Sequence, residues 1–255
     1  MLNDPEEMRW GYDVFEEAAG KLMKIAETKV NLRNMNRDFF DKMDEIIAPL
    51  QGRFHPFVSC FSRQGDLPSQ WSTYADDEHG FAIGFAARAL MHMPISMLIV
   101  EYDRERQVQE MMDALGACFL ENEADGGRFG SKFFESCVVI GSFMIAFKNP
   151  KFREEREIRC LHATNPVRNK NAMWLADRDG VLGGAENVDG EIVHFRVLDN
   201  ALVAYFDMPF RRGFEKTPIK RIMLDPKNPN WPANILYFTG SLGYEDVAIG
   251  KSITP

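Results

Sequence analysis

Two glutamates and an arginine at alternate positions are the side chains best placed to do chemistry together. In residues 152–161, FREEREIRCL, a β-strand alternation puts Glu155, Glu157 and Arg159 on one face. Two carboxylates that share a face disfavour each other's ionisation, and the arginine would hold one of them ionised. Such a pair can orient a ribose hydroxyl or stabilise a developing cation. The alternative is a solvated edge strand with alternating charges.

Hydroxyl and aromatic side chains are concentrated in a loop predicted between two short apolar strands, at residues 57–61 and 80–85. Trp71 and Tyr74 could form a stacking platform for a base or a nicotinamide ring, or both rings could fill the core beneath the loop. The hydroxyls available for hydrogen bonds to a ligand are those of Ser59, Ser62 and Thr73.

Metal and phosphate motifs give no support for a further site. The acids at 76–78 follow one another directly, so they favour a solvated turn over a shared cation. The histidines and cysteines lack metal-ligand spacing, and we expect no metal site. Gly250, Lys251 and Ser252 resemble the end of a phosphate-binding loop, but the position of its first glycine is Glu245. GGRFG at 126–130 lacks the dinucleotide-binding spacing.

Composition narrows the class of protein. The chain has 255 residues, 45% apolar and 27% charged, with a net charge of −8. This charge argues against general binding to nucleic acid, which depends on neutralising phosphates. No apolar run is long enough for a membrane span, and the N-terminus has no signal-peptide pattern. Four widely spaced cysteines are typical of buried free thiols in a reducing compartment, so we expect a cytoplasmic protein.

Hydrophobic periodicity predicts an α+β fold. We expect one domain over residues 1–255, with a mixed, mostly antiparallel sheet and several flanking helices. The predicted helices are 5–30, with Asp4 as N-cap, and 39–50, 86–91, 104–120, 133–147 and 232–240. The predicted strands are 57–61, 80–85, 96–102, 152–161, 191–198, 202–208, 219–224 and 246–253, with a long polar connection at 165–189.

Four motifs in order resemble a widespread prokaryotic domain family of unknown function. They are LNDPEEM at 2–8, SCFS at 59–62, QWSTYADDEHGFAIGF at 70–85 and FREEREIR at 152–159. Members of that family usually carry a strand and a helix ahead of the N-D-P motif. The resemblance therefore implies either a start codon assigned too late or the loss of that element.

The family is similar in layout to ADP-ribosyltransferase-like domains, and this analogy implies an NAD-using enzyme. That layout has a central strand with hydroxyl or tyrosine residues and a glutamate late in the chain. By this analogy Ser59, Ser62 and Tyr74 would match the central strand, and Glu157 with Glu155 would match the late glutamate. Glu157 would stabilise the oxocarbenium-like ribose, and Glu155 would orient the acceptor. The alternative is a non-catalytic module in stress or phage defence that binds a small-molecule ligand or an unknown protein.

Overall fold

A computed structural model of the chain describes residues 6–53, 55–75, 79–177, 180–182, 186–198, 200–208 and 218–253. The helices are α1 (Glu7–Glu27), α2 (Arg37–Arg53), α3 (Pro68–Tyr74), α4 (Ala87–Met91), α5 (Arg104–Ala124), α6 (Ser131–Phe143) and α7 (Pro232–Ser241). The strands are β1 (His55–Ser62), β2 (Phe81–Phe85), β3 (Ser96–Ile99), β4 (Glu157–Arg168), β5 (Met173–Ala176), β6 (Gly180–Leu182), β7 (Glu186–Val188), β8 (His194–Leu198), β9 (Ala201–Tyr205), β10 (Ile219–Leu224) and β11 (Ala248–Lys251).

The chain folds as two compact units that alternate along the sequence. Unit 1 comprises Met1–Val58 and Leu98–Arg153, and unit 2 comprises Ser59–Met97 and Glu154–Pro255. The chain therefore passes between units within β1, within β3 and after Arg153. The expected extent of the domain, residues 1–255, stays a prediction.

Unit 1 is helical, and its core lies between α1, α2, α5 and α6. The apolar residues of α1 recur at three- and four-residue steps, which puts Val14, Phe15 and Ala18 on its buried side. Phe39 of α2 lies at the centre of this core. Its ring packs edge-on against Phe119, 5.3 Å away, and Phe133, 5.8 Å away.

Two buried polar side chains, those of Gln107 and Lys148, make contacts at the beginnings of α1 and α5. The amide of Gln107 donates to the backbone carbonyls of Glu101 and Lys148, at 2.6 and 2.8 Å. Its oxygen accepts from the indole of Trp10 at 3.0 Å. Lys148 also forms a buried ion pair with Glu7 at 3.0 Å. These contacts satisfy polar groups that would otherwise be costly to bury.

The described strands form four small sheets. The largest has the order β1-β4-β3, with β5 paired to β4, and a second has the order β11-β10-β2. The other two are the hairpins β6-β7 and β8-β9. Most pairings are antiparallel, and β10 with β11 is parallel. The predicted α+β class with mostly antiparallel pairing is confirmed.

The differences from the sequence predictions are local. α3 lies where a loop was predicted, and α2 continues through Pro49. The predicted polar connection at 165–189 contains the end of β4 and the short strands β5 to β7. The proposed cap at Asp4 and the acids at 76–78 lie outside the described residues. No helix in the described ranges is long and apolar enough to cross a membrane.

Candidate ligand-binding site

Trp71 on α3 fixes one wall of the candidate site. Helix α3 begins with Pro68 at its first turn, where the missing N–H of proline costs nothing. The buried indole of Trp71 donates to Asp66 Oδ1 at 2.8 Å, and that oxygen also accepts from Ser252 Oγ at 2.5 Å. Trp71 packs with Ala75, Ala82 and Met223. It therefore belongs to the core of unit 2, whereas Tyr74, one turn later, is 52% exposed.

The start of β2 lies directly against the end of α3. A Cβ on Gly80 would lie 2.7 Å from Ala75 Cα, so this approach requires glycine. The Gly80 N–H donates to the Ala75 carbonyl at 2.7 Å. The Asn228 amide donates to the carbonyls of His79 and Gly80.

A cavity of about 720 Å³ opens beside α3 within unit 2. All five residues of β2 contribute to its lining, together with parts of β1, α4 and β10. In the β2–β10 register, Gly84 lies opposite Arg221 and Ala82 lies opposite Met223. Opposed residues of an antiparallel pair share a face, so the small residues of β2 leave room above Arg221.

Two arginines, Arg63 and Arg221, are the charged side chains among the described residues that line this cavity. Both are exposed. The other described lining residues are polar, aromatic, aliphatic or small. The polar members are Cys60, Ser62, Gln64, Gln70 and Tyr74, and the aromatic ones besides Tyr74 are Phe61, Trp71, Phe81 and Phe85. The arrangement combines positive charge, hydrogen-bonding groups and aromatic rings in one space.

Sequence reasoning missed both arginines. Arg221 follows Lys220 in the predicted strand IKRIML, where alternation puts Arg221 and Met223 on the same face. That pattern could have indicated a charge facing an otherwise apolar surface. Arg63 comes directly after β1, and no pattern in the sequence distinguishes it from an ordinary turn residue.

The predicted hydroxyl residues divide between the cavity and the rest of unit 2. Ser62 lines the cavity, and its hydroxyl donates to the Glu155 carbonyl at 2.8 Å and accepts from the Gln64 N–H at 3.1 Å. Ser59 is exposed on β1 and is outside the described lining. Its neighbour Cys60 lines the cavity instead. Cys60 is exposed, so the prediction of four buried thiols is wrong at this position.

The prediction that Glu155 and Glu157 share a strand face is wrong. Residues Pro150–Glu155 form a 3-10 helix, and Arg156 has a left-handed φ of 47°. This conformation redirects the chain before the strand begins at Glu157. Glu155 therefore precedes the alternation that the sequence predicted for it. Its side chain is half-buried, and its carbonyl accepts from Ser62.

Arg159 does hold a carboxylate, as the spacing predicted. Its guanidinium donates to both oxygens of Glu157, at 3.0 and 2.9 Å, and both side chains are buried. Ile158, between them, lines the cavity. Glu157 and Arg159 are outside its described lining. The structure thus brings Ser62, Trp71 and Tyr74 to the cavity, and not Ser59, Glu155, Glu157 or Arg159.

A second set of polar contacts in unit 2 is centred on His162, which the sequence analysis did not single out. Its ring nitrogens lie 2.8 Å from the Pro94 carbonyl and 2.5 Å from Asp177 Oδ1. The other oxygen of Asp177 accepts from the Glu191 N–H at 2.8 Å. These contacts join β4 to three connecting segments. In the described part of the chain, no three His, Cys, Asp or Glu side chains are grouped as a metal site.

Comparison with known proteins gives one match. Residues 70–160 match the model of a family described as a protein of unknown function (DUF2971). The chain is similar to DUF2971 over this segment, which is well under half of its length. The segment includes Trp71, Tyr74 and the Glu157–Arg159 pair, but neither cavity arginine. No curated protein and no solved structure matches the chain.

The predicted resemblance to a domain family of unknown function is thus supported over residues 70–160. Of its four motifs, the third and fourth lie within the DUF2971 match. The first two, at 2–8 and 59–62, precede it. The similarity to ADP-ribosyltransferases stays a prediction, as do a cytoplasmic location and a role in defence.

Proposed function

We propose that unit 2 is a ligand-binding module whose ligand is anionic and carries an aromatic ring, with a nucleotide such as NAD as the chemical class. One observation carries this proposal. The charged side chains among the described lining residues are two arginines, and they share the cavity with aromatic rings. A cavity of about 720 Å³ is also within the usual range for small-molecule sites.

The arginines supply the recognition of phosphate in this proposal. A guanidinium presents a planar set of donors that matches phosphate oxygens in bidentate geometry. No described residue forms an ion pair with Arg63 or Arg221. Their charge also stands out against a chain of net charge −8, which disfavours long nucleic acids.

The aromatic residues supply the recognition of the ring. Tyr74 lines the cavity and is half exposed, so its ring can contribute to stacking on a ligand. Phe61 and Phe85 pack edge to face with centroids 5.6 Å apart and form an apolar part of the lining. Gln64 and Gln70 offer donors and acceptors for a base edge.

Binding is better supported than glycosyl transfer. The transferase prediction needs the Glu157 carboxylate at the ribose, and that carboxylate instead accepts both hydrogen bonds from buried Arg159. We therefore propose binding as the function. The NAD-dependent transferase remains a prediction that the same experiments test.

Calorimetric titration of the full chain with four probes tests the proposal. The probes are NAD, ADP, adenosine and pyrophosphate, which separate the contributions of ring and phosphate. We expect NAD and ADP to bind more tightly than adenosine or pyrophosphate. A melting-temperature shift is the second readout, since about 100-fold excess over Kd adds about 2.7 kcal/mol of stability.

Substitution at the cavity provides the specific control. We expect Arg221→Gln to weaken ADP binding roughly 10- to 100-fold, the loss typical of a charge-assisted contact. Lys220→Gln, at the neighbouring residue that is outside the described lining of the cavity, should leave binding unchanged. If no probe binds, or if both variants bind like the wild type, the proposal fails. Nicotinamide release from NAD that is lost in a stably folded Glu157→Gln variant would favour the transferase instead.

A further inference from the structure

Two buried cysteines meet where α5 packs against α6 in unit 1. Cys118 lies on α5 and Cys137 on α6, and both belong to the apolar core of unit 1. The Ser136 hydroxyl donates to the Glu121 carboxylate at 2.6 Å, which shows that the two helices lie side by side next to the cysteines. The two thiols are themselves in hydrogen-bond contact. The core of unit 1 therefore holds a pair of facing thiols.

We propose that Cys118 and Cys137 form a disulfide when the protein is exposed to hydrogen peroxide, and that this bond fastens α5 to α6. A disulfide requires side chains that point toward each other, with sulfurs about 2.05 Å apart. Thiols that share a hydrogen bond already point toward each other, so rotation about side-chain bonds can close the remaining distance. The bond would enclose the connection at 125–130, which contains three glycines and joins the two helices.

The contact gives the two thiols different roles in this reaction. The Cys137 S–H donates to the Cys118 sulfur, which lowers the pKa of Cys118 and raises the pKa of Cys137. Cys118 is therefore the thiol that attacks peroxide, because the thiolate is the nucleophile. Its sulfur bonds to one peroxide oxygen and the O–O bond breaks. The departing hydroxide takes up a proton to give water, and Cys118 becomes a sulfenic acid.

Cys137 completes the reaction as the second thiol. Its sulfur bonds to the sulfenic sulfur, its S–H proton joins the departing hydroxide, and a second water leaves. In total, two thiols lose two hydrogen atoms with two electrons, and one peroxide is reduced to two water molecules. Because both residues are at most 3% exposed, peroxide reaches them when the helices open locally. The disulfide therefore accumulates over prolonged exposure instead of forming at once.

Peptide mapping of the full chain after prolonged incubation with hydrogen peroxide tests this proposal. The parent protein is a Cys60→Ala variant, because the exposed Cys60 thiol would also be oxidised. After remaining thiols are blocked, trypsin should release residues 107–128 joined to residues 133–148 by a bond that dithiothreitol cleaves. Oxidation should raise the melting temperature by roughly 5 to 10 °C. Dithiothreitol should reverse this rise, which excludes methionine oxidation as its cause.

Two further substitutions in the parent protein supply the controls. Cys118→Ala should give neither the joined peptides nor a reversible rise in melting temperature, whereas Cys160→Ala, which removes the thiol of unit 2, should behave like the parent. The proposal is overturned if prolonged incubation of the folded parent yields no joined peptides, or if the disulfide involves Cys160 instead. Joined peptides that form only above the melting temperature also overturn it, because the pairing would then belong to the unfolded chain.

Discussion

Glu157 and Arg159 form a buried ion pair in unit 2. Both oxygens of the carboxylate accept from the guanidinium, and both residues are at most 5% exposed. Removing one member of a buried pair leaves the other charge uncompensated. The pair therefore contributes to the fold of unit 2 whether or not it also contributes to an activity.

We predict that Glu157→Gln lowers the free energy of unfolding by about 3 to 5 kcal/mol. Urea denaturation followed by circular dichroism measures this change. Glu155→Gln, two residues earlier and half-buried, should cost less than about 1 kcal/mol. Wild-type stability in Glu157→Gln would show that the carboxylate is not needed for folding and would return it to the list of candidate catalytic groups.

Cys160 should make the stability of the protein depend on alkaline pH. Burial raises the pKa of this thiol from its ordinary value of 9.0 to about 11. Between these values the unfolded chain releases a proton that the folded protein keeps. The contribution of Cys160 to the free energy of unfolding should therefore be constant up to about pH 9 and decrease as the pH rises towards 11.

Substitution isolates this effect. The free energy of unfolding of the Cys160→Ala variant should decrease less steeply over the same pH range. Denaturant midpoints at each pH measure this decrease. The comparison is made in a Tyr12→Phe background, because burial and the neighbouring Asp44 also raise the pKa of Tyr12. Equal slopes with and without Cys160 would contradict the assignment.

Part of the site chemistry was predictable at the level of residues. The pairing of Arg159 with a carboxylate follows from alternation along a strand. The separation of Glu155 from Glu157 does not, because it depends on the left-handed conformation of Arg156, and arginine has no preference for that conformation. The position of Arg221 at the cavity depends on the register between β2 and β10, which local sequence does not specify.

Helix α1 contains two glycines whose surroundings differ sharply. A Cβ on Gly11 would lie 2.7 Å from the backbone oxygen of Met144, whereas a Cβ on Gly20 would meet no atom within 4 Å. Both positions are helical. The first glycine lets α1 approach the turn after α6, and the second only adds freedom to the unfolded chain.

We predict opposite effects for alanine at these two positions. Gly11→Ala should destabilise unit 1 by roughly 1 to 3 kcal/mol, because backbone atoms must move apart. Gly20→Ala should stabilise it by roughly 0.5 to 1 kcal/mol. Thermal or chemical unfolding of the two variants measures the sign of each change in the free energy of unfolding. Stabilisation by both variants would show that helix propensity, and not the contact with Met144, decides the outcome.

Long amphipathic elements were predictable and short ones were not. α1 and α5 each span 21 residues, enough turns for the apolar periodicity to be unambiguous. α3 has seven residues, PSQWSTY, whose serines and threonine favour turns when no tertiary contact is known. The helical segment is stabilised by the packing of Trp71 on Ala82 and Met223. Ala82 lies across the following turn and Met223 lies far away in sequence, so local sequence does not reveal this packing.

At the level of the whole molecule, the two units are interleaved along the chain. Residues 1–153 contain all of unit 1 but only the first segment of unit 2. That segment carries β2, whose partner β10 lies at Ile219–Leu224. Local patterns identified most strands, but they carried no information on this grouping, since the pairs that define unit 2 are distant in sequence.

We predict that a fragment of residues 1–153 keeps its unit 1 helices and leaves residues 59–97 unfolded. Trypsin should cleave this fragment after Arg63 and Arg88 much faster than it cleaves the full chain, as followed by mass spectrometry. Cleavage after Lys21 in α1 should be similar in both, which controls for unfolding of the fragment as a whole. Equal protection of residues 59–97 in both proteins would mean that this segment folds without β4 and β10.

The distance between β2 and β10 in sequence also has a consequence during synthesis. β2 ends at Phe85 and β10 ends at Leu224, and ribosomes add about 5 to 20 residues per second. The nascent chain therefore holds β2 without its partner for roughly 7 to 30 seconds. Phe81 and Ile83, about half exposed even after folding, belong to an open strand edge of the kind that pairs with other chains. The nascent chain is therefore vulnerable to aggregation between the completion of β2 and the emergence of β10. During this interval a chaperone could bind the exposed β2 segment.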